Sequence, residues 1–234
     1  MPPDAETYYD RYWQIRDNSY TAARSRERAA ITLRLLGEPC GRRLFEFGCG
    51  PGWSLDMFRN AGFEVRGGDV SSVAVDEARR LGLDVERLDM ERDLTEELLR
   101  AGEAPEVIVA LEVLEHLLDP EFALRRMSDM LADSGLLVVS LPNEISLPAR
   151  LKILLGRLPF GGHADPHVRH FDLRSSRELF RSASLSIVDS VSVHLLPPRC
   201  GIARTLLSSL PSCFPGLFSL ATVYLLRREE ASGQ

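Results

Sequence analysis

The segment Glu46-Phe47-Gly48-Cys49-Gly50-Pro51-Gly52 sets three glycines at alternate positions between an apolar run and a helix-patterned one. Glycine lets a backbone turn sharply and approach a ligand closely, and the first N–H groups of the following helix attract an anionic group. Asp69 stands 21 residues after Gly48, at the end of the next apolar run. A carboxylate in that place suits both hydroxyls of a ribose. The usual dinucleotide loop is excluded, because it needs G-x-G-x-x-G and here Trp53 takes the sixth place after glycines at 48, 50 and 52. Glu46 also stands where such loops carry an apolar residue. The plain alternative is a tight turn with an unrelated surface aspartate.

These residues need strands and helices to hold them, and the pattern supplies both. Short apolar runs at 44–47, 63–67, 85–88, 107–111 and 136–139 alternate with helical patterns around 55–58, 73–81 and 122–131. The run at 107–111 is continuous, as in a strand covered on both faces. Such alternation predicts a doubly wound α/β sheet. Ahead of it, residues 4–36 read as helix stopped by Gly37-Glu38-Pro39, giving an N-terminal helical cap over 1–40 before a domain spanning 41–234. Behind it come a long insertion at 142–172, a half-buried strand at 185–194, an apolar, proline-punctuated insertion at 195–220 and a final strand at 221–226.

Composition agrees with a globular chain: 234 residues, 44% hydrophobic and 26% charged. A net charge of −6 argues against a nucleic-acid partner. The Arg24-Ser25-Arg26-Glu27-Arg28 face reads most simply as solvated surface. Four cysteines, Cys40, Cys49, Cys200 and Cys213, form no C-x-x-C pair, against both a zinc ribbon and a disulfide scaffold. No leader pattern opens the chain, and the run at 217–226 is interrupted by Ser219 and Thr222, short of the ~20 residues a membrane span needs. The expectation is a soluble, cytoplasmic protein.

Taken in order, Glu-x-Gly-x-Gly-x-Gly after the first strand, Asp69 after the second, Asp89-Met90 after the third and Leu111-Glu112-Val113-Leu114-Glu115-His116 after the fourth resemble class I S-adenosylmethionine-dependent methyltransferases over roughly residues 40–145. Glu112 to Pro120 and Leu141-Pro142-Asn143 are similar to segments of small-molecule enzymes of the ubiquinone-biosynthesis and MetW-like type. The resemblance implies a Rossmann-like, seven-stranded sheet in the order 3-2-1-4-5-7-6 with the last strand antiparallel, and S-adenosyl-L-methionine as cofactor. It implies that Glu46 and the backbone of Gly48, Cys49, Gly50 and Gly52 face the methionyl part. Asp69 would accept from the ribose, Val70 would pack on the adenine, and Asp89 with the Met90 N–H would meet the adenine edge. The Leu111 carbonyl and Glu112 would serve the methionyl ammonium. Against these stand a strand-end salt bridge for Glu46 and a cap of the turn from Glu91 onward for Asp89.

The implied function is methyl transfer to a small, apolar acceptor, with oxygen as the preferred atom. The alternative is a non-catalytic cofactor-binding partner or regulatory subunit, as the MetW-like resemblance permits; a nucleotide-dependent oxidoreductase is disfavoured by the glycine spacing. Histidine suits removal of the acceptor's proton. His170 is the first candidate, since Phe171 can bury beside it and fix its direction; His167, behind Pro166, is second, and His116 third. His163 belongs to the same cluster. The competing roles are a hydrogen-bonded loop anchor for the cluster and, for His116, a ring bonded to a loop carbonyl. Some ubiquinone-pathway and small-RNA methyltransferases that resemble the Glu112-x-x-Glu115-His116 pattern hold magnesium there, and His167 or His170 could supply a fourth ligand. Glu112 has a competing cofactor role, and the metal-free reading is preferred.

Two apolar insertions speak about partners. Residues 147–158 carry Arg150, Lys152 and Arg157 among leucines, and 195–220 carry only Arg199 and Arg204 as charges. They read as extra core or a homodimer face, or as a wall for a greasy acceptor or a peripheral membrane contact. Tyr8, Tyr9, Tyr12 and Trp13 either close over the cofactor as a lid or pack the first helix onto the domain.

Overall fold

The computed structural model describes residues 4–15, 18–39, 41–92, 104–159, 166–196, 207 and 209–229. The cysteines Cys40 and Cys200, the histidine His163 and most of the 195–206 stretch lie outside them. The helical start resolves into two helices, α1 (Ala5–Ile15) and α2 (Ser19–Leu36). Then follow β1 (Arg43–Phe47), α3 (Trp53–Asn60), β2 (Glu64–Asp69), α4 (Ser72–Arg80), β3 (Val85–Arg87) and β4 (Val107–Leu111). A single 3-10 turn at Leu114–His116 leads to α5 (Pro120–Met130), β5 (Leu136–Pro142) and α6 (Leu147–Leu154). The chain ends in α7 (Leu173–Ser182), β6 (Leu185–His194), α8 (Leu210–Cys213), α9 (Pro215–Phe218) and β7 (Ser219–Arg228).

The seven strands form one sheet in the order β3-β2-β1-β4-β5-β7-β6. The first five are parallel, and β7 runs antiparallel to both β5 and β6. Alternation along β4 explains why its apolar run is unbroken. Ile108 and Ala110 join a core with Phe47, Leu124 and Phe180 on one face. Val107 and Val109 join Leu44, Leu55 and Phe58 on the other. Each fully buried side chain of this size contributes about 1.5–3 kcal/mol on transfer from water.

Helix starts are set by side chains that satisfy the first N–H groups. Ser71 accepts from Ala74 N–H at 3.2 Å at the head of α4. Asp119 accepts from Phe122 N–H at 2.9 Å ahead of Pro120 in α5. Asp172 and Ser175 close a reciprocal capping box on α7. Because β1 to β5 are parallel, the ends of β1, β2, β4 and β5 open on the same carboxyl edge, where ligands bind in open α/β sheets.

Candidate active site

Gly48, Gly50 and Gly52 all adopt positive φ, at 63°, 52° and 84°. Contact as well as turning requires glycine here. A Cβ at Gly48 would lie 2.5 Å from Val113 Cγ2, and one at Gly50 would lie 3.1 Å from the Trp13 ring. Asp69, buried at the end of β2, shapes the loop from below. Its Oδ2 accepts from Gly50 N–H at 2.8 Å and its Oδ1 from Ser71 N–H at 2.9 Å. An ionised carboxyl has about four lone-pair sites, so these two bonds leave capacity for a ligand diol. Burial raises the Asp69 pKa, opposed by the two backbone donors.

Glu46, the penultimate residue of β1, is also buried. Ser54 in the first turn of α3 donates to its Oε1 at 2.6 Å, while its Oε2 has no partner among the described residues. Burial pushes its pKa up to about 8, with Ser54 opposing and Asp69 adding to the rise. A buried carboxyl oxygen without a partner beside a ligand loop is a fit for a cationic group.

The fourth strand presents a different arrangement. Glu112, directly after β4, has φ 58°, uncommon for a residue with a side chain. Its amide donates to Ser140 Oγ at 2.9 Å, and the same hydroxyl donates to Glu112 Oε1 at 2.8 Å. Arg28 of α2 donates to Oε2 at 2.8 Å. Arg24 is likewise buried and donates to the carbonyls of His194 and Leu195. The arginine face of α2 is therefore not solvated surface: it ties the helix to the site and to the end of β6, and only Arg26 of its three arginines is exposed. Val70 and Leu111 are half-buried at their strand ends, and Met90 lies in the core. Asp89 accepts from Glu91 N–H at 3.0 Å and stands 3.6 Å from Arg92 Nε, the capping arrangement.

Helix α1 lies over this cradle. Asp10 accepts from Ser71 Oγ at 2.5 Å, Ser72 Oγ at 2.8 Å and Val73 N–H at 3.2 Å, binding α1 to the positive end of α4. Trp13 meets Trp53 edge-on at 5.8 Å, and Tyr9 meets His116 edge-on at 5.9 Å.

The histidines gather around a residue that the sequence did not single out. Glu144, buried just beyond β5, takes His167 Nδ1 on Oε1 at 2.9 Å and His170 Nδ1 on Oε2 at 2.6 Å. His167 packs 4.9 Å from the His116 ring, so a line of rings runs from Tyr9 through His116 to His167. His116 Nδ1 lies 3.2 Å from the Pro166 carbonyl. His170 is more exposed and opens onto a hollow lined by Leu118, Pro120, Val168 and Phe171. Donor atoms of Glu115, His116 and His167 all lie within 4.8 Å of one another. Glu115 is fully buried, and neither carboxyl oxygen has a hydrogen-bond partner among the described residues, although Oε1 stands 4.0 Å from His116 Nε2; burial, then the charge of Glu112, raises its pKa well above normal. Ser54, Ser140, Arg28, Asp10 and Glu144 thus join the site. Only Glu144 had a local signal, an acid directly behind the end of an apolar strand.

The sheet order and the glycine loop agree with the comparison to known families. A methyltransferase-domain family matches residues 20–190. The chain belongs to the class I S-adenosylmethionine-dependent methyltransferase family. Among curated relatives, a ubiquinone biosynthesis O-methyltransferase of Azorhizobium caulinodans is 33% identical over 132 residues, 53% of this chain and 51% of that protein. One of Brucella anthropi is 29% identical over 167 residues, 67% of this chain and 65% of that protein. The chain thus spans about half to two thirds of the length of these relatives. Solved structures share the fold of this methyltransferase-family chain. A SAM-dependent methyltransferase from Archaeoglobus fulgidus has a TM-score of 0.66 at 14% identity, covering 93% of this chain and 100% of its own. The magnesium protoporphyrin IX methyltransferase of Synechocystis PCC 6803, with bound SAH, has a TM-score of 0.65 at 16% identity, covering 95% of each chain.

Proposed function

We propose that the chain transfers a methyl group from S-adenosylmethionine to an oxygen atom of a small, largely apolar acceptor. One observation carries this reading: the loop cradle of Glu46 and Asp69 shares the carboxyl edge with a carboxylate, Glu144, that holds two histidine rings. Support for oxygen comes from the printed activity of the curated relatives. Support for an apolar acceptor comes from the exposed leucines and isoleucine of α6 beyond β5.

When bound, the cofactor supplies a methyl group made electrophilic by a positively charged sulfur. Asp69 holds the ribose, and Glu46, with an unpartnered oxygen, offsets positive charge on the methionyl side. Helix α1, pinned by Asp10, excludes water from above the loop. Glu144 accepts from Nδ1–H of a histidine, which fixes the ring and directs its basic nitrogen away from the carboxylate. That nitrogen takes the acceptor's proton. Glu112, held by Arg28 and Ser140, is not offered to a metal, which supports the metal-free reading of the Glu112-x-x-Glu115-His116 pattern.

The test is incubation with labelled cofactor and a panel of phenols, hydroxy acids and amines. Turnover on oxygen nucleophiles is the expected result. Binding without turnover across the panel would instead favour a regulatory subunit. With an acceptor in hand, His167→Ala and His170→Ala separate catalysis from anchoring. Loss of the base lowers kcat by ~10²–10⁴ with cofactor affinity unchanged. A loop anchor alone would lower the melting temperature and spare kcat per folded molecule.

A further inference from the structure

Helix α1 carries four aromatic side chains, and two of them, Tyr9 and Trp13, stand four residues apart on one helical face. Trp13 closes over Gly50 and meets Trp53, so this face looks down on the glycine loop. Tyr9 meets the His116 ring edge-on at 5.9 Å, on the side where the histidines gather. Asp10 sets the height of the helix through its bonds to Ser71, Ser72 and Val73, which follow closely on Asp69. Tyr9 is thus held between the loop and the histidine edge.

The neighbouring acids locate its hydroxyl. Burial raises the Tyr9 pKa most, and Tyr8, Glu115 and Asp69 add to the rise, so the phenol keeps its proton. Asp69 ends β2 and Glu115 follows β4, the two strands that flank β1 in the sheet. A phenol close enough to feel both carboxyls stands across the end of β1, above the loop. Its oxygen makes no hydrogen bond among the described residues, which leaves its lone pairs for a ligand. In the proposed reading Asp69 takes the ribose and Glu46 the methionyl charge, and the sulfur joining these two parts lies between them. Transfer needs the methyl to point from there toward the histidines, the edge that the Tyr9 ring touches. Methyl hydrogens on a positively charged sulfur attract an oxygen lone pair through C–H···O contacts.

We infer that the Tyr9 hydroxyl touches the transferable methyl and holds it in line between sulfur and acceptor, which makes Tyr9 a catalytic residue. Tyr9 forms and breaks no bond in this role. The acceptor oxygen's electron pair makes the new bond to carbon, and the carbon–sulfur pair returns to sulfur. The inference rests on the proposed placing of the cofactor, but its test requires no acceptor. It therefore fails or succeeds separately from methyl transfer to oxygen.

S-adenosylhomocysteine is the reference ligand, because it lacks the methyl and the sulfur charge and keeps every other part. Calorimetry on the full chain measures both ligands. Tyr9→Phe keeps the ring and deletes only the oxygen. It should weaken S-adenosylmethionine roughly two- to fivefold while S-adenosylhomocysteine affinity and melting temperature stay unchanged. Tyr8→Phe should leave the ratio of the two affinities as it is. With cofactor carrying a 13C methyl, the bound methyl should show nuclear Overhauser contacts to the Tyr9 ring in the unsubstituted protein. Its proton resonance should move upfield in Tyr9→Phe. Equal weakening of both ligands, no weakening of either, or the same change of ratio in Tyr8→Phe overturns the inference. A bound methyl without contact to Tyr9 also overturns it, and that measurement stands even if the variant does not fold.

Discussion

Asp69 shapes the glycine loop through Gly50, and in the proposed reading the same carboxylate also meets the ribose. Asp69→Ala removes charge-assisted hydrogen bonds to the ribose, about 1.5–3 kcal/mol each before water compensates. Calorimetry should show cofactor affinity falling more than tenfold, and an unchanged dissociation constant would detach Asp69 from the ligand. Glu46 gives a pH signature. Its folded-state pKa of about 8 exceeds the ordinary 4.5, so the folded protein keeps a proton that the unfolded chain releases between those values. Stability without cofactor therefore falls as pH rises through that window. A cationic ligand favours the ionised form, so binding expels the proton, and affinity rises with pH up to about 8. Glu46→Gln should flatten that rise; a variant that keeps it would place the titration elsewhere. At this scale the glycines, Asp69 and the histidines were legible because residue type and spacing carry their chemistry. Arg28 was not, because a charged helix face looks the same in sequence whether it meets water or Glu112.

Helix α1 contains no buried residue, yet it spans the loop, the start of α4 and His116. Its attachment rests on the bonds to Asp10 and on edge-on ring contacts rather than on fully buried side chains, which suits an element that opens and closes. Asp10→Ala removes the bonds from Ser71, Ser72 and Val73. The expected outcome is cofactor dissociation faster by roughly tenfold, read by stopped-flow, with a small change in melting temperature. A large stability loss with unchanged release would make α1 a structural strap instead. Among elements, β4 was readable to its boundaries because both of its faces are buried. Helix α7 escaped the sequence reading. It is short and mostly polar, with only Ser176 and Phe180 fully buried, and its capping box is its clearest local mark. The two-helix start was read as one stretch because apolar spacing says little where α1 buries nothing.

At the scale of the molecule, the parallel order of β1 to β5 carries the 114–116 turn and the returning 166–170 segment to one place. That convergence lies beyond sequence spacing, since His116 and His167 are far apart along the chain. It also gathers Glu115, His116 and His167, three donors of the kind that hold metals. Metal ligation needs an ionised carboxylate, whereas burial and then the charge of Glu112 raise the Glu115 pKa and oppose its ionisation. Turnover is therefore expected to persist in EDTA; collapse under chelation with recovery on adding magnesium would make the cluster a metal centre.

The two margins of the sheet have a consequence for life at high local density. On one side the outermost strand, β3, is three residues long. On the other, β6 carries two register irregularities, between Ile187 and Asp189 and between Val193 and His194. A short strand and a bulged one each offer a poor template for pairing with a neighbouring chain. Many copies crowded together would therefore slide past one another without zipping into fibrils.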